Sequence, residues 1–402
     1  MDQFPRVRQV QAVPIEEDGG QMVAVSANDG LTDQIVMVSL PAFYLITMMD
    51  GNRDITQICD EFQTQFHRRV AKGEVERLVE QLDQALLLDN SRYRKAAEAV
   101  IRKFIDAPFR APAHAGKSYP EEAEELALLI ENELSSHPPQ EGAGAESVVV
   151  PHIDFRIGAG MMADGWREIP ADPHSVVVIL GTGHYLADDF FSCIDKDFHT
   201  PLGPMEVDRE FLEALEGNFQ EGLFNNRISH KSEHSIEFQA LFMAAMARKG
   251  PVGKAVPILL SFPENIWQLD HPLFNGQRVD RFIASLSKTA EECGKKVRYV
   301  ASVDLSHVGA RFGDPAPLTE KKLRSVERED RELMEAARKL DRKAFLSQIR
   351  RVNSDNRICG FPPLYALLSL TNAKTGRILG YRQNLEGEME SMVSFASMAF
   401  YD

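Results

Sequence analysis

Three apolar runs after residue 146 each lead into a histidine or an aspartate. Ser147-Val-Val-Val150 leads into Pro151-His152-Ile153-Asp154. Ser175 to Leu180 leads into Gly181-Thr182-Gly183-His184, and Val297 to Val303 leads into Asp304-Leu305-Ser306-His307. In open α/β sheets, ligands bind beyond the carboxyl ends of the strands, so residues that follow strands in this way meet at one edge. A single histidine after a strand is usually a hydrogen-bonded structural residue; three at equivalent positions favour a shared pocket. Asp304 precedes His307 by three residues, a spacing that lets the carboxylate orient the ring or share its proton, which suits acid–base work.

Two further segments add candidates. His230 and His234 are four apart, and His234 and Glu237 are three apart, so a helix there would bring them together. Lys231 stands where the zinc-protease motif needs a glutamate, which excludes that reading. His234 and Glu237 read either as groups lining the pocket or as ordinary capping and salt-bridging residues. Cys359 lies in Asn356-Arg-Ile-Cys359-Gly-Phe-Pro-Pro363, a turn that opens an apolar helix. A thiol at a helix N-terminus has a lowered pKa and is disposed to be a ligand or nucleophile. An inert buried cysteine fits the same pattern.

The elements that must position these groups are legible from apolar patterning. SVVV, SVVVIL, AVPILL and VRYVASV are short Val/Ile-rich runs, as expected of strands covered on both faces. Helical segments alternate with them, including DREFLEALEG after Asp208 and the long stretch around His234, while RILGYRQNL and SMVSFASMAFYD read as two further strands. The fold class is therefore α/β, with a central mixed, largely parallel sheet and helices on both faces. Cys59 and Cys293 fall on helical segments and Cys193 in a packed loop; scattered as they are, they indicate reduced thiols and a cytoplasmic protein.

The chain has 402 residues, 44% of them hydrophobic, and a net charge of -15. That acidity argues against a nucleic-acid partner, and no apolar run is long enough to span a membrane. Composition divides the chain into a small α+β domain over 1–95, a helical linker over 96–146 and the α/β domain over 147–402. In the first part MVAVS and IVMVSL read as strands, LPAFYLITMMDG as a helix closed by Gly51, ITQICDEFQTQF as a helix capped by Asp54, and Lys72 to Leu88 as a helix. This pattern resembles the winged-helix-like domains of the PqqD type, which hold peptides, and also a DNA-binding winged helix. The lack of a Lys/Arg-rich helix favours a peptide. The Pro, Gly and Ala-rich stretch from His137 to Ala145 reads as the end of the linker.

Taken in order, Pro151-His152, Gly181-x-x-His184, Thr200-Pro-Leu-Gly203 with Val207-Asp208, Glu233-His234-Ser-Ile-Glu237, Ser302-x-Asp304-Leu-Ser-His307, Cys359-Gly360 and the closing LGYRQNLEG and VSFASMAF resemble the Memo family. The resemblance covers Ser147 to Asp402. It implies a fold similar to class III extradiol dioxygenases and, through the AmmeMemoRadiSam system, a radical-SAM protein and an AMMECR-type protein as partners. It also implies His152, His184 and Cys359 as metal ligands, Asp304 and His307 as the catalytic pair, and a divalent or redox metal. Fe(II) comes first by analogy, and copper or zinc suit the softer thiolate. Asp154 after His152 and Tyr185 after His184 depart from the commoner family forms and fall in the substrate pocket. Three functions follow: a metal-dependent, dioxygenase-like redox enzyme, a non-catalytic metal- or peptide-binding adaptor, and a hydrolase or transferase with Cys359 as nucleophile.

Overall fold

In the N-terminal part, alternating residues of two strands face inward: Val23 and Val25 on one, Val36 and Val38 on the next. The computed structural model describes residues 3–17, 20–27, 29–32, 34–136, 144–186, 189–262, 277–387 and 390–402. They form two compact units, Met1–Ala107 and Pro108–Asp402.

The first unit is an antiparallel sheet of β1 (Val10–Glu17), β2 (Gly20–Ala27) and β3 (Ile35–Ser39), followed by helices α1 (Leu40–Thr47), α2 (Ile55–Phe66), α3 (Lys72–Gln84) and α4 (Ser91–Asp106). Asp54 caps α2 reciprocally with Gln57, each side chain accepting the other's backbone N–H at 2.8 Å. Ile58, Phe62, Val75, Leu78, Val79 and Leu82 close the core over the sheet. β1 escaped the sequence reading because Pro14 breaks its pattern; at a sheet edge a proline costs no ladder bond. α3 stops at Gln84, short of the expected Leu88, and Leu86 adopts a left-handed φ of 60°.

The second unit runs α5 (Ala123–Ser135), β4 (Ser147–Val150), α6 (Phe155–Trp166), β5 (Ser175–Thr182), β6 (Phe191–Cys193), β7 (Phe198–Thr200), β8 (Gly203–Met205), α7 (Arg209–Phe219), α8 (His234–Lys249), β9 (Lys254–Leu260) and α9 (Gln277–Glu292). It continues with β10 (Lys296–Ser302), β11 (Asp304–Gly309), α10 (Glu320–Arg338), α11 (Arg342–Asn356), α12 (Phe361–Leu370), β12 (Thr375–Glu386) and β13 (Ser391–Tyr401). The main sheet has the order β11-β13-β4-β10-β5-β9-β6, with β12 paired to β13. β4, β10, β5 and β9 are mutually parallel, and the flanking strands are antiparallel. Every residue of β4 and β5 is buried, as the unbroken Val/Ile runs require. Helices α6, α8 and α12 pack on these strands, so the sheet is flanked as expected.

Several boundaries differ from the sequence reading. The segment expected as a linker is divided between the units: α4 belongs to the first and α5 to the second. The acidic helix α5 buries Leu126, Ala127 and Ile130 against α6 and α8, a stripe that its charged face hides in composition. Residues 137–143 of the Pro/Gly-rich stretch lie outside the described residues. Asp304 to His307, read as following a strand end, itself forms strand β11 against β13. Cys193 lies in the short edge strand β6, not in a loop. His230 ends a 3-10 turn ahead of α8. It therefore does not share a helix with His234: its Nε2 meets Ser192 O at 3.0 Å in a buried position.

Candidate metal centre

The parallel strands end side by side, and Val303 N–H donates to Val150 O at 2.8 Å just past β10 and β4. His152 follows β4, His184 follows β5, and His234 opens α8. One ring nitrogen from each of the three lies within 4.8 Å of the others. The His184 and His234 rings stack at 4.8 Å, and His152 stands edge-on to both at 5.1 and 5.4 Å. Cys359 arrives just before α12 with its Sγ 3.4 Å from His152 Nε2, and it also hydrogen-bonds His184.

These donors fit a metal ion. Metal–sulfur and metal–nitrogen bonds of about 2.3 and about 2.0–2.1 Å at a tetrahedral angle separate the two donors by about 3.6 Å. The Cys359–His152 spacing is close to that, whereas the imidazole nitrogens, within 4.8 Å of one another, would draw in to about 3.3 Å around an ion. Burial, with the nearby His184 second, pushes His152 down to about 3, so it is a neutral imidazole, the form that binds metals. The cluster of His152, His184 and His234 could hold a metal, with Cys359 beside it. The thiol does not show the low pKa expected at a helix start. Burial pushes it up, outweighing the hydrogen bond and charge of His184.

Glu233 is the residue that sequence reasoning quoted but gave no role. Its buried carboxylate accepts from His184 N–H at 2.8 Å and Ser235 N–H at 3.0 Å. It also meets His184 Nδ1 at 3.0 Å and His234 Nδ1 at 3.3 Å. Burial works against this carboxylate, yet the two imidazoles and the Ser235 amide hold its pKa well below the usual range. Conversely, burial opposes a charge on His184, but Glu233 and Cys359 raise its pKa well above the ordinary value. With Nδ1 turned to Glu233, Nε2 is the atom each ring offers a metal, and such outer carboxylates orient histidine ligands. Glu233→Gln is expected to lower metal affinity about 10–100-fold with the circular dichroism spectrum retained. An affinity within twofold of wild type would remove this role.

Asp304 and His307 reach the same site by a route other than the one expected. Asp304 Oδ1 accepts from His152 N–H at 3.0 Å and Ile153 N–H at 3.2 Å, and its Oδ2 lies 3.8 Å from His152 Nε2. It therefore anchors the loop after β4 instead of hydrogen-bonding the His307 ring. Burial pushes its carboxyl up to about 6, against the pull of His307 and those two amides. His307 Nδ1 meets two backbone carbonyls, Leu305 O at 3.0 Å and Arg357 O at 3.1 Å. Carbonyls only accept, so Nδ1 carries the proton and Nε2 is left with a lone pair. Burial lowers the His307 pKa despite the neighbouring Asp304.

The remaining candidates divide. Asp154 caps α6 and holds Arg156 through both carboxylate oxygens at 2.9 and 2.7 Å, close enough to His234 to feel its charge. Tyr185 is half-buried, and its carbonyl accepts from Ser229 Oγ at 3.1 Å. Glu237 is not among the grouped metal donors. Its carboxylate is taken up by Arg110, the Tyr119 hydroxyl and the Ala113 and His114 amides. Arg110, fully buried, also donates to His230 O at 3.0 Å and Glu233 O at 2.9 Å, so it ties this segment to the turn that carries Glu233. The run Pro112 to Pro120, inside the segment expected as a helical linker, is thus part of the site's support. Its polar residues gave no periodic signal that could have shown this.

Comparison with known proteins agrees with this extent. The sequence pattern of the family described as "Memo-like protein" matches residues 110–399, beginning at Arg110. A "MEMO1 family protein" of Aquifex aeolicus is 30% identical over 361 residues, covering 89% of this chain and 90% of the relative. A second from Thermus thermophilus is 26% identical over 365 residues, covering 87% and 99%. One from the archaeon Methanobrevibacter smithii is 28% identical over 308 residues, covering 72% and 99%.

Proposed function

This chain belongs to the Memo family, and from that premise we propose that its α/β unit is a metal-dependent redox enzyme of dioxygenase-like type, with His152, His184 and Cys359 as ligands. The observation that carries the reading is the 3.4 Å approach of Cys359 Sγ to His152 Nε2, beside an imidazole whose Nδ1 is already held by Glu233. Such a spacing suits two ligands of one ion, and a His-His-Cys set suits Fe(II), copper or zinc. When bound, the ion would supply a positive centre that polarises a substrate oxygen, and iron or copper would add redox capacity that zinc lacks.

The chain's own groups would do the rest. The His184 side chain is 31% exposed and gives the site its opening for a substrate. His307, fixed with Nδ1–H on two carbonyls, presents Nε2 to take a proton from a substrate hydroxyl. Asp304 holds the His152 backbone in place, while His234, Tyr185 and Asp154 flank the pocket. Among the described residues no helix is long and apolar enough to cross a membrane.

Oxygen uptake by the metal-loaded protein with catechols and other phenols tests the reaction type. His307→Ala is expected to leave metal content unchanged and to lower turnover about 10²–10⁴-fold, the usual contribution of a proton-transfer group. Loss of most of the metal would instead make His307 a ligand.

A further inference from the structure

β11 carries one residue too many for its partner. Asp304 pairs with Phe395 and His307 with Val393, so Leu305 and Ser306 together face Ser394. In an unbroken strand, residues three apart point to opposite faces. The extra residue restores the phase, so that Asp304 and His307 come to one side, where each also feels the charge of His184. The bulge is fastened by side chains in place of a ladder bond: Ser306 N–H donates to Ser394 Oγ at 2.9 Å. Both serine hydroxyls then donate to one carboxylate, Ser306 to Asp330 Oδ1 and Ser394 to Asp330 Oδ2, each at 2.6 Å. Tyr381 from β12 adds a third bond to Oδ2 at 2.9 Å.

Asp330 lies in α10 and is fully buried, and among the described residues no Lys or Arg pairs with it. Burial pushes its carboxyl up to about 6 against these three hydrogen bonds. An acid in such a place costs stability, and an apolar residue of similar size would fill the space at less cost. Its partners explain its presence, since two of the three are the residues on either side of the bulge.

We propose that Asp330 is a positioning residue: by binding Ser306 and Ser394 together it holds the β11 bulge that turns His307 into the site beside Asp304. The inference rests on His307 being the proton-moving group of the proposed function, but its test needs no metal. In the metal-free full chain labelled with 15N-histidine, long-range 1H–15N spectra report which nitrogen of each ring carries the proton, and His307→Ala assigns the His307 signals. Wild type is expected to show His307 protonated on Nδ1. Asp330→Leu, similar in size and unable to accept a hydrogen bond, and Ser306→Ala should each shift the His307 tautomer ratio about tenfold towards Nε2–H, as expected for losing its backbone partners. The His152 and His230 signals should stay in place, as no mere loss of stability would ensure. Tyr381→Phe, which removes the bond from outside the bulge, should leave His307 within about twofold. If Asp330→Leu does not fold, Ser306→Ala alone decides. Unchanged His307 signals in folded Ser306→Ala or Asp330→Leu overturn the proposal, as does a Tyr381→Phe shift as large as theirs. Because the readout is taken without metal, loss of the metal assignment would not imitate either result.

Discussion

Cys359→Ser is expected to lower metal affinity by more than about 100-fold, since outer-shell changes alone cost about 10–100-fold. Two imidazoles are a weak cage for a divalent ion, and a third, anionic donor both completes the set and offsets charge. Cys359 is the cysteine that meets the histidines: its Sγ is 3.4 Å from His152 Nε2. Cys59 lies in α2 of the other unit, Cys193 is buried in β6 and Cys293 follows α9. Serine substitution at those three should leave affinity within a few-fold, and His152→Ala and His184→Ala should resemble Cys359→Ser. Dissociation constants after anaerobic purification, on variants shown to be folded, check this. A folded Cys359→Ser protein that keeps its metal would transfer the third place to His234, whose nitrogen lies within 4.8 Å of the other two.

Arg110→Ala is expected to destabilise the second unit by about 3–5 kcal/mol, the cost of leaving one buried charge without its partner. Arg110 and Glu237 side chains are each 1% exposed, and Glu237 would keep its charge with only the Tyr119 hydroxyl and two amides against it. The guanidinium also holds the carbonyls of His230 and Glu233, so the turn bearing Glu233 loosens with it. A chain beginning at residue 147, where composition places the start of the α/β domain, lacks Arg110, Tyr119 and α5 and should lose more stability than Arg110→Ala; one beginning at Pro108 should not. Denaturant unfolding of the full chain and of Arg110→Ala measures the difference. A loss below about 1 kcal/mol would mean that Glu237 finds another partner and that this segment is not a support of the fold.

How far the sequence carries can be traced residue by residue. The Val/Ile runs of β4, β5, β9 and β10 were legible because strands covered on both faces leave no choice of side chain, and their carboxyl ends led directly to His152, His184 and the Asp304–His307 pair. The N-cap of α2 was legible from Asp54 at the head of an apolar-faced helix, while its reciprocal bond with Gln57 appears only in the fold. What was hidden depends on contacts distant in sequence. Glu237 has helical spacing from His234, yet its partner, Arg110, lies 127 residues away, and a helix face alone cannot reveal which way it is drawn. Glu233 looks like any acid before a helix until the turn folds it between two imidazoles. The β11 bulge is invisible to a pattern of two, since it breaks that pattern, and the low pKa expected of Cys359 fails because burial outweighs the helix end.

X-ray absorption at the edge of the metal bound to the anaerobically purified full chain tests the ligand set most directly. The His152–His184–Cys359 centre predicts one sulfur at about 2.3 Å with nitrogen at about 2.0–2.1 Å, and loss of that sulfur shell in Cys359→Ser reloaded with metal. A wild-type shell of nitrogen and oxygen alone would contradict it.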